Sequence, residues 1–168
     1  MPSGRRKIST HEVTVPLGEL ARSAGTLSRI MASPAQPALL EIAYRIRLML
    51  NKITRHVDGE SAYNAELNVL TKLHGKEDPA AGAGAFEFNP EGLRAYTKAR
   101  AELDEQLQTV TVPVVYLSEV MALRLAPPLS NDEYLTLEWL MLDAPPDAAA
   151  TAPAAAPVQV IDPPTKAV

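Results

Sequence analysis

The sequence predicts a mainly α-helical fold with a small β element: an antiparallel helical hairpin, short strands and an extended Ala/Pro-rich C-terminal tail. Apolar residues recur three and four positions apart through most of the chain, which is the spacing of one helix face. Two segments, "HEVTVPL" (11–17) and "TVTVPVVYL" (109–117), are instead dense in β-branched residues and are typical of strands. The last 25 residues contain nine alanines, six prolines and three charges, a composition that cannot bury a core.

These features divide the chain into three parts. With 168 residues and 46% hydrophobic residues, the chain is long enough for one modest core. We therefore expect a flexible basic N-terminal arm over residues 1–10, a single helical-hairpin domain over 11–143 and the Ala/Pro-rich tail over 144–168.

The first elements are a strand and a helix. "HEVTVPL" alternates enough for a short edge strand. The apolar spacing then predicts a helix of about four turns over 17–31. Gly18 and Gly25 weaken this helix, so it needs support from tertiary contacts.

A long helical pattern follows. It begins near Ser33, which can cap the helix, and continues to His74 with one break at "DGES" (58–61). Some forty residues in one helix would span roughly 60 Å, which is longer than a compact domain of this size is wide. The break at Gly59 is therefore either a kink or the boundary between two helices.

The next segment predicts the hairpin. Gly75 ends the long helix, "AFEF" (85–88) gives a brief extended stretch, and Asn89 with Pro90 starts a helix of about seventeen residues. An apolar stripe of Leu93, Tyr96, Leu103 and Leu107 is assigned to the returning helix. We expect antiparallel pairing of Leu67, Leu70 and Leu73 against Tyr96, Leu103 and Leu107.

The last elements of the domain are a strand and a short helix. "TVTVPVVYL" is the strongest strand pattern, and Pro113 confines it to an edge or splits it. Its partner is either "AFEF" or the strand near the N-terminus. Ser130 and Glu133 have the spacing of a capping box before a helix that contains Trp139.

The Gly-rich run "GAGAF" (82–86) is interpreted as a turn. A phosphate-binding loop needs further glycines, or a Lys followed by Ser or Thr, between a strand and a helix. Gly82 and Gly84 instead follow a helix and the acidic "KED" (76–78), and those carboxylates would repel phosphate.

No other pattern predicts catalysis. The chain has no cysteine, which excludes disulfides, thiolate chemistry and Cys-ligated zinc. His11, His56 and His74 are far apart and lack the spacing of metal ligands. We expect no enzyme activity, no catalytic or metal-binding residues and no cofactor.

Charge is distributed unevenly. Residues 1–57 have nine Lys or Arg against three acids, a balance of +6, whereas residues 58–168 have seven against seventeen, a balance of −10. The two halves could pack on each other or on a second copy, or the basic half could contact a polyanion such as nucleic acid, weakly and with strong salt dependence. The candidate polyanion contacts are Arg5, Arg6, Lys7, Arg45, Lys52 and Arg55, the last three of which face either water or an acidic neighbour.

The tail contains one apolar segment, "VQVID" (158–162), flanked by prolines. It is either an idle linker end or a peptide that adds a strand to another protein or lies in a groove on it. Its candidate partner-binding residues are Val158, Val160 and Ile161. Nowhere do eighteen apolar residues occur in succession, so we expect no membrane insertion.

Four segments resemble a known group: "YRIRLMLNKI" (44–53), "YNAELNVLTKLHGKED" (63–78), "FEFNPEGLRAYTKARAELDEQLQTVTVPVVYLSEV" (86–120) and "LSNDEYLTLEWLM" (129–141). Together they resemble a loose group of small, mostly uncharacterised bacteriophage proteins. The resemblance is one of pattern and covers roughly residues 38–142. The chain departs from it in the N-terminal helix, the Gly/Ala-rich loop and the tail, and the group has no catalytic residues to transfer.

The resemblance implies a phage-type virion or assembly-associated structural protein. Such a protein would bind other protein subunits, among them virion proteins, would form homo-oligomers, and would be found in the virion or the host cytoplasm. The alternatives are an intracellular phage protein that binds and inhibits a host factor, and a weak nucleic-acid-binding accessory protein.

Overall fold

A computed structural model describes residues 8–58 and 62–143 of the chain. This part is mainly helical, with two small antiparallel sheets of two strands each, so the fold class expected from the sequence is confirmed. In chain order, the elements are β1 (Thr10–Pro16), α1 (Leu17–Met31), α2 (Pro37–Val57), α3 (Tyr63–His74), β2 (Lys76–Glu77), β3 (Phe86–Glu87), α4 (Pro90–Asp104), β4 (Leu107–Pro113), α5 (Leu117–Met121) and α6 (Asn131–Glu138).

The larger sheet joins the two strands predicted from β-branched residues. β1 pairs antiparallel with β4, from Thr10 opposite Pro113 to Pro16 opposite Leu107. The choice of partner is thereby settled in favour of the N-terminal strand. The "AFEF" segment supplies β3, which pairs with β2 in the smaller sheet.

The core forms around α2, which packs on α1 and on β4. One stripe of α2 is buried at every third or fourth position, as amphipathic spacing requires. α1 starts directly after β1 and also contacts α6. The core residues contributed by α1, α2 and the larger sheet include Leu20, Leu27, Ile30, Ile42, Ile46, Met49, Ile53, Val15, Val110 and Val112.

The long helical pattern is two helices. α2 ends at Val57 and α3 begins at Tyr63, which is buried. The break is therefore a helix boundary, although Gly59 itself lies outside the described residues.

The hairpin is formed by α3 and α4, but two of its predicted contacts are wrong. α4 ends at Asp104, so Leu107 belongs to β4, where it is 65% exposed. Leu73 is on α3 but is 70% exposed and lies outside the helix interface. The sequence prediction placed Leu107 on the helix because it follows Leu103 by four residues, which is helical spacing, and no Gly or Pro lies between them to signal the end of the helix.

Two short helices complete the described chain. The capping box before α6 is confirmed, because Ser130 Oγ accepts from the Glu133 N–H at 3.2 Å and Glu133 Oε2 accepts from the Ser130 N–H at 2.8 Å. The strand predicted to reach residue 117 ends at Pro113, and the following residues form α5, which was not predicted. Within the described ranges, no helix is long and apolar enough to cross a membrane.

Candidate functional site

The segment from Tyr63 to Asp104, which comprises α3, β2, β3 and α4, is here called the hairpin. The structure describes all of it, and only Tyr63 and Leu103 among its apolar side chains are buried. These two residues lie at opposite ends of the segment and therefore at the same end of the antiparallel pair. The hairpin is thus buried at its base, Leu67 and Leu70 of α3 pack partly buried against the core, and many of its other side chains are exposed.

A hydrogen bond closes the base. The Tyr63 hydroxyl donates to Asp104 Oδ1 at 2.6 Å, which joins the first turn of α3 to the last turn of α4. Burial, together with the neighbouring Asp104 carboxylate, raises the pKa of Tyr63. Arg100 lies 3.9 Å from Asp104 and completes a small polar cluster.

Helix α1 approaches the same cluster closely. A Cβ added to Gly18 would lie 2.9 Å from the Asp104 Cβ. The glycine that weakens α1 as a helix therefore lets the base of the hairpin sit against it. This gives Gly18 a packing role that the sequence pattern does not reveal.

The two helices of the hairpin also touch near its far end. A Cβ on Gly92 would lie only 2.3 Å from the His74 carbonyl oxygen. The Asn89 side chain accepts from the Gly92 N–H at 2.6 Å, as the predicted cap requires. The rings of Phe88 and Tyr96 pack beside this contact with their centres 5.0 Å apart.

The Gly-rich run is the turn at the tip of the hairpin. The Asp78 N–H donates to the Ala85 carbonyl at 2.9 Å, so the chain reverses between β2 and β3. Gly82 and Gly84 have φ angles of 124° and 78°, which favour glycine over other residues. The run therefore has a structural explanation as a turn, and it joins two strands rather than a strand and a helix.

Apolar side chains are exposed along the hairpin. Val69 is 58% exposed and Leu73 is 70% exposed, and they lie one turn apart on the same face of α3. Leu93, at the start of α4, is 51% exposed. None of the three is needed to fill the core, which makes them candidates for contact with another protein.

Three of the basic residues proposed as polyanion contacts, Arg45, Lys52 and Arg55, lie in the described part of the chain, and their environments differ. Arg45 donates to both oxygens of Glu119, at 3.0 and 2.6 Å, and to the Val114 carbonyl at 3.1 Å. Its charge is therefore balanced by an acidic neighbour, which is one of the two environments expected for it from the sequence. Lys52 and Arg55 are exposed on α2. The remaining three, Arg5, Arg6 and Lys7, lie outside the described residues.

Glu119 has two partners, because it also accepts from the Tyr116 N–H at 2.9 Å and so caps α5. Burial opposes ionisation of Glu119, but its bonds from Arg45 and Tyr116 outweigh that effect and lower its pKa. A single carboxylate thus caps α5 and fastens it to α2.

Glu133 likewise caps α6 and links it to a second helix, in this case α1. It caps the helix through Ser130 and receives two bonds from the Arg29 guanidinium of α1, at 2.8 and 2.6 Å. The bond from the Ser130 backbone, with a further contribution from Arg29, lowers the pKa of Glu133.

One cleft beside the base of the hairpin has a volume of about 320 Å³. Its lining combines side chains from α2, α3, β4 and the residue before β4, and includes Arg55, His56, Tyr63, Glu66, Gln106 and Gln108. Across residues 8–58 and 62–143, no three His, Cys, Asp or Glu side chains are grouped so that they could hold a metal ion.

Some of the site residues predicted from the sequence lie outside the described part of the chain, and some of the residues described above were not predicted. The tail residues Val158, Val160 and Ile161 lie beyond the described part of the chain. Tyr63, Asp104 and Glu119 were not singled out from the sequence, because their roles depend on partners that are distant along the chain.

The chain matches no protein-family model, no curated protein and no solved structure.

Proposed function

We propose that the protein is a non-enzymatic, phage-type virion or assembly-associated component that binds other protein subunits. The hairpin is the binding element. The observation that carries this proposal is the exposure of Val69, Leu73 and Leu93 on a segment whose buried apolar side chains, Tyr63 and Leu103, lie at its base. The pattern resemblance to small bacteriophage proteins supports the phage context.

The binding surface combines apolar and charged groups. Exposed aliphatic side chains supply the favourable burial, at about 25 cal/mol per Å² of apolar surface removed from water. Arg94 and Lys98 on α4 and Glu77 and Glu87 at the tip are exposed around them. Charged groups at the edge of an apolar patch favour specific orientation more than affinity.

The proposal is tested with particles purified from cells in which the full-length protein is produced during phage growth. Mass spectrometry should find the protein in particles or in assembly intermediates. The double variant Leu73→Ser/Leu93→Ser should be lost from them while remaining folded, because exposed substitutions change stability by less than about 0.5 kcal/mol each.

The matched control is Leu135→Ser on α6, a leucine that is 55% exposed but lies outside the hairpin. This variant should stay with the particles. Absence of the wild-type protein from particles and intermediates would contradict the phage assignment. Equal retention of the double variant and the wild type would contradict the role of the hairpin.

A further inference from the structure

The outer edge of β1 offers backbone groups to an additional strand. Within the described residues β1 pairs only with β4, through the register that sets Val13 opposite Val110. The Leu17 N–H donates to the Gln106 carbonyl, and the Val114 N–H donates to the Ser9 carbonyl. Because such pairs alternate in antiparallel sheets, the odd-numbered residues of β1 bond to β4 and the even-numbered ones point away.

Within the described part of the chain, the backbone groups of β1 that no other strand pairs with therefore belong to Thr10, Glu12 and Thr14. Their side chains are exposed, whereas those of His11, Val13 and Val15 face inward and are half-buried or buried. A strand added here would form hydrogen bonds with Glu12 and Thr14 and would cover the remaining exposed surface of Val13.

We propose that Val158–Asp162 of the same chain binds this edge as a third, antiparallel strand. The segment alternates, so Val158, Val160 and Asp162 share one face. When that face is turned inward, Val158 lies beside Val15, Val160 beside Val13 and Asp162 beside His11. This inference is independent of the proposed function, since it involves neither the hairpin nor a phage partner.

The prolines select this register. Pro157 and Pro163 have no N–H and must not stand opposite Glu12 or Thr14. If the segment is shifted by two residues along β1 in one direction, Pro157 stands opposite Thr14. If it is shifted by two residues in the other direction, Pro163 stands opposite Glu12. Only the register that pairs Gln159 with Thr14 and Ile161 with Glu12 keeps both prolines away from these two positions, and it places Pro163 opposite Thr10 at the end of the strand.

Side-chain chemistry selects the antiparallel direction. A parallel strand would place the Asp162 carboxylate beside Val15, which is fully buried. The antiparallel strand places it beside His11, whose two ring nitrogens are buried and have no hydrogen-bond partner among residues 8–58 and 62–143. A carboxylate next to an imidazole is favourable, whereas a charge beside a buried valine is costly.

The connecting chain is long enough to reach the edge. Near the end of the described chain, Leu142 bonds to Val115 and Leu117, just beyond β4 and close to the Thr10 end of β1. Fifteen residues lead from Asp143 to Val158, and at about 3.1 Å each they span up to about 45 Å. Crossing the seven residues of β1 requires only about 23 Å. A tether of this length gives an effective concentration in the range of about a millimolar, which favours the chain's own tail over that of a second copy.

The absence of native cysteine allows a direct test by disulfide formation in the full-length chain. Val13→Cys with Val160→Cys should form an intramolecular disulfide under mild oxidation, because facing residues of a non-hydrogen-bonded pair have Cα atoms about 4.5 Å apart. The control, Val13→Cys with Gln159→Cys, places the second thiol on the opposite face and should form at least about tenfold less. Equal yields in both variants, or a disulfide-linked dimer as the main product, would overturn the proposal.

Hydrogen exchange provides a second test, in which the substitutions are made only in the tail and the sequence of residues 11–143 is unchanged. In full-length protein, Ile161→Pro removes an N–H that faces β1 and should speed exchange of the Glu12 and Thr14 amides by about tenfold or more. The matched variant Val160→Pro removes an N–H that points away and should change these rates less than Ile161→Pro does. Rates that are the same in wild type and Ile161→Pro would show that the edge is not occupied by this segment.

Discussion

Replacing Gly92 by alanine tests the close approach of α3 and α4. The added Cβ would lie 2.3 Å from the His74 carbonyl oxygen, whereas ordinary contact begins near 3.4 Å. α4 would therefore have to move by about 1 Å, because a backbone oxygen cannot rotate away as a flexible side chain can. Overpacking of this kind costs about 1–3 kcal/mol, and the better helix propensity of alanine offsets up to about 1 kcal/mol. We expect a net loss of about 1–2 kcal/mol.

The assay is thermal and urea unfolding of the full-length protein, with Gly25→Ala as the matched control. Gly25 lies inside α1, and a Cβ there would meet nothing within 4 Å. Gly25→Ala should therefore stabilise the protein by up to about 1 kcal/mol, while Gly92→Ala should lower Tm by about 2–8 °C. If Gly92→Ala were as stable as the wild type while Gly25→Ala behaved as expected, the two helices could not be as close as the structure places them.

Three further variants test the contacts that hold the fold and the hairpin. The lowered pKa of Glu119 means that its stabilising effect is present above its ordinary value of 4.5 and is lost as pH falls through the depressed one. Glu119→Gln should therefore lose less stability than wild type between about pH 5 and pH 2, and parallel pH profiles would contradict this reasoning. Tyr63→Phe removes the hydrogen bond to Asp104 and should cost about 1–2 kcal/mol in urea unfolding; an unchanged midpoint would show that this bond does not anchor the hairpin. Leu73→Ser should leave the unfolding midpoint within about 0.5 kcal/mol of wild type, and a larger loss would mean that the side chain is packed rather than exposed.

The helices could be predicted well because their apolar spacing and caps are local. Asn89 and Ser130 each accept the backbone bond expected from the sequence. The spacing could not show where α4 ends, since Leu107 continues the helical pattern into a strand. Helical periodicity and strand formation compete at such positions, and pairing with Pro16 decides the outcome.

The residues of the candidate site were harder to predict because their environments depend on contacts between distant parts of the chain. Arg45 and Glu119 are 74 residues apart, so nothing in the local pattern around Arg45 shows that its charge is neutralised. The exposure of Leu73 was hidden for the same reason, since its spacing from Leu70 is that of a buried face. Hydrophobic spacing indicates which residues can be buried, but the angle between two helices determines which of them are.

The bond between Tyr63 and Asp104 has a consequence for how this protein can change over evolution. It brings the first and last residues of the hairpin together, so the hairpin enters and leaves the core at nearly one point. Insertions or deletions in whole helical turns could therefore alter its length while α2 and β4 keep their positions. The core and the tip of the hairpin can thus diversify separately.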